Sequence, residues 1–160
     1  MGILDKIFGS SSSDDDKYIL MVNYAMLLSA SDGNAEEVEG QVLRDILSQV
    51  PGMNEDRFTR IVQTAMKNME NRKTPITPEE ARSMSLDDKK DIISALVAVS
   101  MADGKFHGEE LVFICMAAAS LELDVPYLVD HLMKNYDIDE NEITVASERT
   151  AKWMKENGYA

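Results

Sequence analysis

The feature that most constrains the fold is an internal repeat. Placing Asp32 on Asp103, an offset of 71 residues, superimposes the apolar positions of two long segments. Met21, Val22, Ala25, Met26 and Leu28 fall on Ile92, Ile93, Leu96, Val97 and Val99, and Ser29, Asp32, Gly33 and Glu39 match Ser100, Asp103, Gly104 and Glu110 identically. Further on, Ile61, Val62, Met66, Lys67 and Asn68 pair with Leu128, Val129, Met133, Lys134 and Asn135, as if the loop before them were four residues shorter in the second copy. Each copy therefore reads as helix, Asp-Gly corner, helix, loop, helix.

The periodicity is helical throughout. Tyr18, Met21, Val22, Ala25 and Leu28 recur at three- and four-residue steps, as a core-facing helix requires. Val38, Val42, Leu43, Ile46 and Leu47 continue the pattern until Pro51-Gly52 stops it, and Asn54 caps the next helix. Thr77-Pro78-Glu79-Glu80 combines an N-cap, a proline at the first helical position and a capping-box acid. Ser85 and Asp124 cap two more helices, and a last one runs from about 140 to 157. No alternating strand is present. The expected fold is all-α, a compact helical bundle of about seven or eight helices built from two helix–corner–helix–helix repeats. Repeat one covers about 17–71 and repeat two about 86–136, within one domain over 17–160. Val112 to Ala118 are apolar nearly all round, which places that helix at the middle of the bundle.

Ahead of the domain, residues 1–16 divide in two. Ile3, Leu4, Ile7 and Phe8 share one face of two helical turns, an amphipathic segment that suits a membrane surface, a partner, or the domain itself. Residues 9–16, Gly-Ser-Ser-Ser-Ser-Asp-Asp-Asp, read as a polar flexible linker. The start lacks the apolar core of a signal peptide, and no apolar stretch reaches the roughly 20 residues of a membrane span. A single cysteine, Cys115, excludes an intramolecular disulfide and fits a reducing compartment. The expected location is cytoplasmic, with a peripheral contact to the inner face of the membrane left open to the N-terminal segment.

Charge narrows the ligands. Sixteen Lys+Arg against 29 Asp+Glu give a net charge of −13. That excess disfavours nucleic acid and oxyanions and favours cations or a basic protein surface. Catalytic signatures are missing: there is no nucleophile elbow, Walker loop, dinucleotide fingerprint or His-Glu-x-x-His. Cys115 sits in an apolar run and reads as a buried core thiol. The chain is expected not to be an enzyme.

The stretch from Ala98 to Phe106, followed by Glu109-Glu110 and a long apolar helix, resembles the TerB-like family of tellurite-resistance proteins, and Leu28 to Gly33 followed by Glu36-Glu37 resembles the other half of that domain. The resemblance implies an all-helical domain whose acidic corners bind a metal ion. It also implies a role in resistance to tellurite and other stresses, with a membrane protein and calcium-binding proteins as partners. Lys105, His107 and Gly108 depart from the acid-rich family pattern.

The residues allow a physical test of that metal site. Asp103, Gly104, Phe106 and Glu110 have the spacing of the second half of an EF-hand loop. The positions that must supply the first carboxylates are Val99 and Met101, or Leu28 and Ala30 in the first copy, so neither copy is an EF-hand. A shared site remains, in which two facing corners pool their acids. Asp32, Glu39, Asp103 and Glu110 are the first candidates, matched across the copies, with Glu36, Glu37 and Glu109 beside them. Crowded carboxylates repel unless a cation neutralises them, and all-oxygen ligands favour calcium or magnesium over zinc. Two other readings fit the same residues: the glycines as helix C-caps with acids favouring the next helix N-terminus, and a metal-free helical adaptor attached to a membrane complex through residues 1–8.

Overall fold

The computed structural model describes residues 13–31, 37–71, 75–102 and 108–158. Among them eight helices form and no strand: α1 (Ser13–Ser31), α2 (Glu37–Ser48), α3 (Glu55–Asn71), α4 (Pro78–Ser83), α5 (Leu86–Ser100), α6 (Gly108–Ser120), α7 (Val125–Asn135) and α8 (Glu140–Glu156). The all-α expectation holds. α1–α3 and α5–α7 are the two copies, α4 is the link between them, and α8 is added at the end.

The caps form as their sequences require. Thr77 accepts from the Glu80 amide at 3.3 Å while the Glu80 carboxylate accepts from the Thr77 amide at 3.0 Å, closing a capping box. Ser85 and Asp124 each accept from the amide three residues on. Asp139, which the periodicity did not single out, caps α8 through the Asn141 amide.

The copies interlock. α1 packs on its counterpart α5, α2 lies against α5, and α6 lies against α1. Each copy thus covers the first helix of the other, and neither half closes a core alone. α6 also carries α7 and α8, so it has neighbours on all sides. That accounts for its apolar circumference: Leu111, Ile114, Cys115 and Ala118 are fully buried, with Val112, Ala117 and Ala119 close behind.

The copies differ at their third helices. α3 packs closely on α1, whereas α7 stands away from α5 and rests on α6. The link between second and third helices is six residues in copy one (49–54) and four in copy two (121–124). The loop therefore supplies only part of the four-residue change in offset, and the helix ends take up the rest.

One expectation is corrected here. The linker assigned to 9–16 ends earlier, because Ser13 to Asp16 are the first turn of α1. The Arg57 guanidinium on α3 donates to Asp15 at 2.8 Å, and Asp16 is 3% exposed. Acids in a first turn also meet the positive end of the helix dipole. The amphipathic segment Ile3, Leu4, Ile7 and Phe8 lies outside the described residues.

Candidate functional site

The described acidic candidates lie in the first turns of α2 and α6, helices that begin at equivalent positions of the two copies, with Glu39 and Glu110 as counterparts. Glu37 and Glu39 stand in the first turn of α2, and Glu109 and Glu110 in the first turn of α6. Asp32, Glu36 and Asp103 lie outside the described residues, as do Gly33 and Gly104, and so do the side chains of Glu37 and Glu39.

The two described carboxylates behave differently. Glu110 is buried, 1% exposed, at the base of the central helix. Glu109 is surface-facing and accepts from Arg149 of α8 at 2.9 Å. A cation at Glu109 must compete with that guanidinium. α8 brings a further acid that the repeat could not reveal: Glu142 Oε1 lies 3.8 Å from the point where a Cβ on Gly108 would sit. Only the packing of α8 on α6 juxtaposes residues 108 and 142, and no motif spacing encodes it. Among the described residues no group of three or more His, Cys, Asp or Glu is arranged to hold a metal ion.

Cys115 is the buried core thiol that its apolar run predicts. Burial pushes its pKa up to about 11, with the Thr150 hydroxyl pulling the other way. At neutral pH it is a protonated core thiol, poorly suited to attack. His131 is exposed on α7, where Asn135 Nδ2 sits 3.3 Å from its Nδ1 and donates to its carbonyl oxygen.

Among the described residues, a concavity lies on either side of α7. One, of about 500 Å3, lies between α5 and α7 where the second copy departs from the first. The other, of about 490 Å3, lies between α7 and α8. Among the described residues no helix is long and apolar enough to cross a membrane.

No curated protein and no solved structure matches the chain. The family described as tellurite resistance protein TerB matches residues 19–128, from the first core residue of α1 into α7. That span holds both corners, both acidic helix starts and the interlocked first and second helices of each copy, so the chain belongs to the TerB family.

Proposed function

We propose that this protein is a non-enzymatic stress-response protein of tellurite resistance, and that it binds a divalent cation, calcium or magnesium, through its acidic corners. The observation that carries the reading is the acidic first turn at both equivalent helices, α2 and α6, inside the span matched by the family. Asp32, Glu39, Asp103 and Glu110 are the first ligands, with Glu36, Glu37 and Glu109 completing an all-oxygen set and Glu142 close by. Such donors suit a hard cation, which would neutralise the mutual repulsion of the carboxylates. Tellurite itself is not the ligand, because an anion would approach a surface of its own sign. The partners proposed are a membrane protein and calcium-binding proteins of the same stress system. The buried, protonated state of Cys115 supports a role without covalent catalysis.

Calorimetric titration of the full chain with calcium, magnesium and manganese tests this. Heat on calcium addition, and a melting temperature that climbs with concentration, are expected. A site filled to about 100 times its dissociation constant adds about 2.7 kcal/mol of stability. Asp32→Asn/Asp103→Asn should abolish both signals. Neither heat nor a melting shift for any of the three ions overturns the metal reading in favour of the metal-free adaptor.

A further inference from the structure

We propose that the cleft between α5 and α7 binds a monocarboxylate amphiphile, a medium-chain fatty acid, with its alkyl chain on the apolar floor and its carboxylate beside Lys90. This inference is independent of the metal reading.

The cleft is present in the second copy and closed in the first. Leu86, Lys90, Ile93, Ser94 and Val97 line its α5 wall, and the 71-residue offset makes Asp15, Ile19, Val22, Asn23 and Met26 their counterparts. In copy one Asp15 bonds to Arg57 of α3, and Ile19, Val22 and Asn23 are buried. In copy two α7 stands away from α5 and leaves a cavity of about 500 Å3. The residue types follow the opening. Where copy one buries Ile19, copy two exposes Lys90, while Ile93 and Val97 stay apolar and buried. Leu132 of α7, also buried, completes the floor. An apolar cavity of this size with a few polar groups at its mouth is the usual form of a small-molecule site.

Shape and charge select the ligand. Leu86 to Val97 runs about 16 Å along α5. The cavity volume spread over that length is about 6 Å across, against the roughly 10–12 Å of a helix, so an alkyl chain fits and a helical peptide does not. At the mouth, Lys90 is exposed and makes no ion pair among the described residues. Asp124 also lines the cleft, but its Oδ1 accepts from the Tyr127 amide at 3.2 Å as the cap of α7. His131 on the α7 wall adds no negative charge. One uncommitted ammonium matches one carboxylate, whereas a dianion would set its second charge against Asp124 and a protein of net charge −13.

The test is calorimetric titration of the full chain with dodecanoate below its micellar concentration, in EDTA so that no dication contributes. Saturation at one dodecanoate per chain is expected. Decanoate should bind about fifteenfold more weakly, since each buried methylene is worth about fourfold. Ser94→Trp, at an exposed position of the cleft, should abolish binding without changing the circular dichroism or the melting temperature. Lys90→Met, also at an exposed position, should weaken dodecanoate about fivefold and leave dodecyltrimethylammonium, the weaker ligand of the parent, unweakened. Heat that does not saturate at one per chain overturns the proposal. So does undiminished affinity in a folded Ser94→Trp, which puts the fatty acid elsewhere. Equal binding of dodecanoate and dodecyltrimethylammonium, or dodecanoate binding indifferent to Lys90→Met, overturns the carboxylate assignment and the proposal with it.

Discussion

Lys17 and Asp88 occupy the same position in the two copies, and they touch: Nζ lies 3.4 Å from Oδ1, with Asp91 Oδ2 at 2.8 Å. Contact between a residue and its own counterpart places the symmetry relation of the repeat beside this pair, at the N-terminal turns of α1 and α5. The reciprocal packing of α2 on α5 and of α6 on α1 follows from it. Duplication here built one interlocked core, and this ion pair joins its halves.

That pair sets an alkaline limit on stability. Burial pulls the Lys17 ammonium down, but the hydrogen bond and charge of Asp91, with the nearby Tyr18 and Asp88, outweigh it and leave its pKa raised. A raised lysine contributes stability that is fully present below its unfolded value of about 10.4 and is lost as pH climbs through the higher folded value. Asp88 and Asp91 are substantially exposed, so Lys17→Met should lower stability at pH 7 by only about 0.5–1 kcal/mol. Urea unfolding from pH 7 to 11.5 should show the parent converging on the variant at the alkaline end. Parallel curves across that range would contradict this account.

The two copies should respond unequally to equivalent truncations. Ile114 on α6 is fully buried, while its counterpart Leu43 on α2 is half-buried. Leu111, also fully buried, has the exposed Gly40 as its counterpart. Ile114→Ala should therefore destabilise by about 2–5 kcal/mol, and Leu43→Ala by less than half as much. Chemical denaturation of the two variants gives the comparison, and equal losses would mean that α6 is not the centre of the core.

This inequality also marks what could be read from residues alone. Helix starts at Thr77, Ser85 and Asp124 were legible because capping is a local interaction, complete within four residues. The central place of α6 was legible because an apolar circumference admits no other environment. The first turn of α1 was not, since Ser-Asp-Asp-Asp has the composition of a linker and is held partly by Arg57, 42 residues away. The departure of α7 from α5 was equally hidden, because the repeat aligns residues and says nothing of where the third helix rests. At the corners, the residue types and their twofold occurrence were visible. The approach of Glu142 to Gly108 and the claim of Arg149 on Glu109 are tertiary facts.

Cys115 should be inert in the folded protein. Its thiol is raised to about 11 by burial, so at pH 8 almost no thiolate exists and none is accessible. Labelling by a thiol reagent should proceed only through opening of the core, and should accelerate in denaturant in step with global unfolding. The sign for stability follows from the raised value. The unfolded thiol ionises near 8.5 while the folded one does not, so alkaline pH between about 8.5 and 11 favours unfolding. Cys115→Ala should flatten that part of the stability profile. Rapid stoichiometric labelling at pH 8 without denaturant would show that α6 is not central.

The end of α6 offers a substitution whose sign is decided by competing magnitudes. Leu123 donates its amide to the Ala118 carbonyl at 2.9 Å and Glu122 donates to Ala119 at 2.9 Å, the paired bonds of a Schellman C-cap. The residue that must turn left-handed is Glu122, with φ of 58°, where a side chain costs about 1–2 kcal/mol relative to ordinary helical backbone. Against this, Glu122 pairs with Arg82 at 3.2 Å, with the arginine 59% exposed, a contact worth at most about 1 kcal/mol. Glycine's extra freedom in the unfolded chain takes back part of the gain. Glu122→Gly should therefore stabilise the protein modestly, by up to about 1 kcal/mol, and Arg82→Ala should cost little in either background. Thermal melts of the two single variants and the double variant close the cycle. A destabilised Glu122→Gly whose loss disappears when Arg82 is already alanine would show that the ion pair, and not the backbone strain, governs this corner.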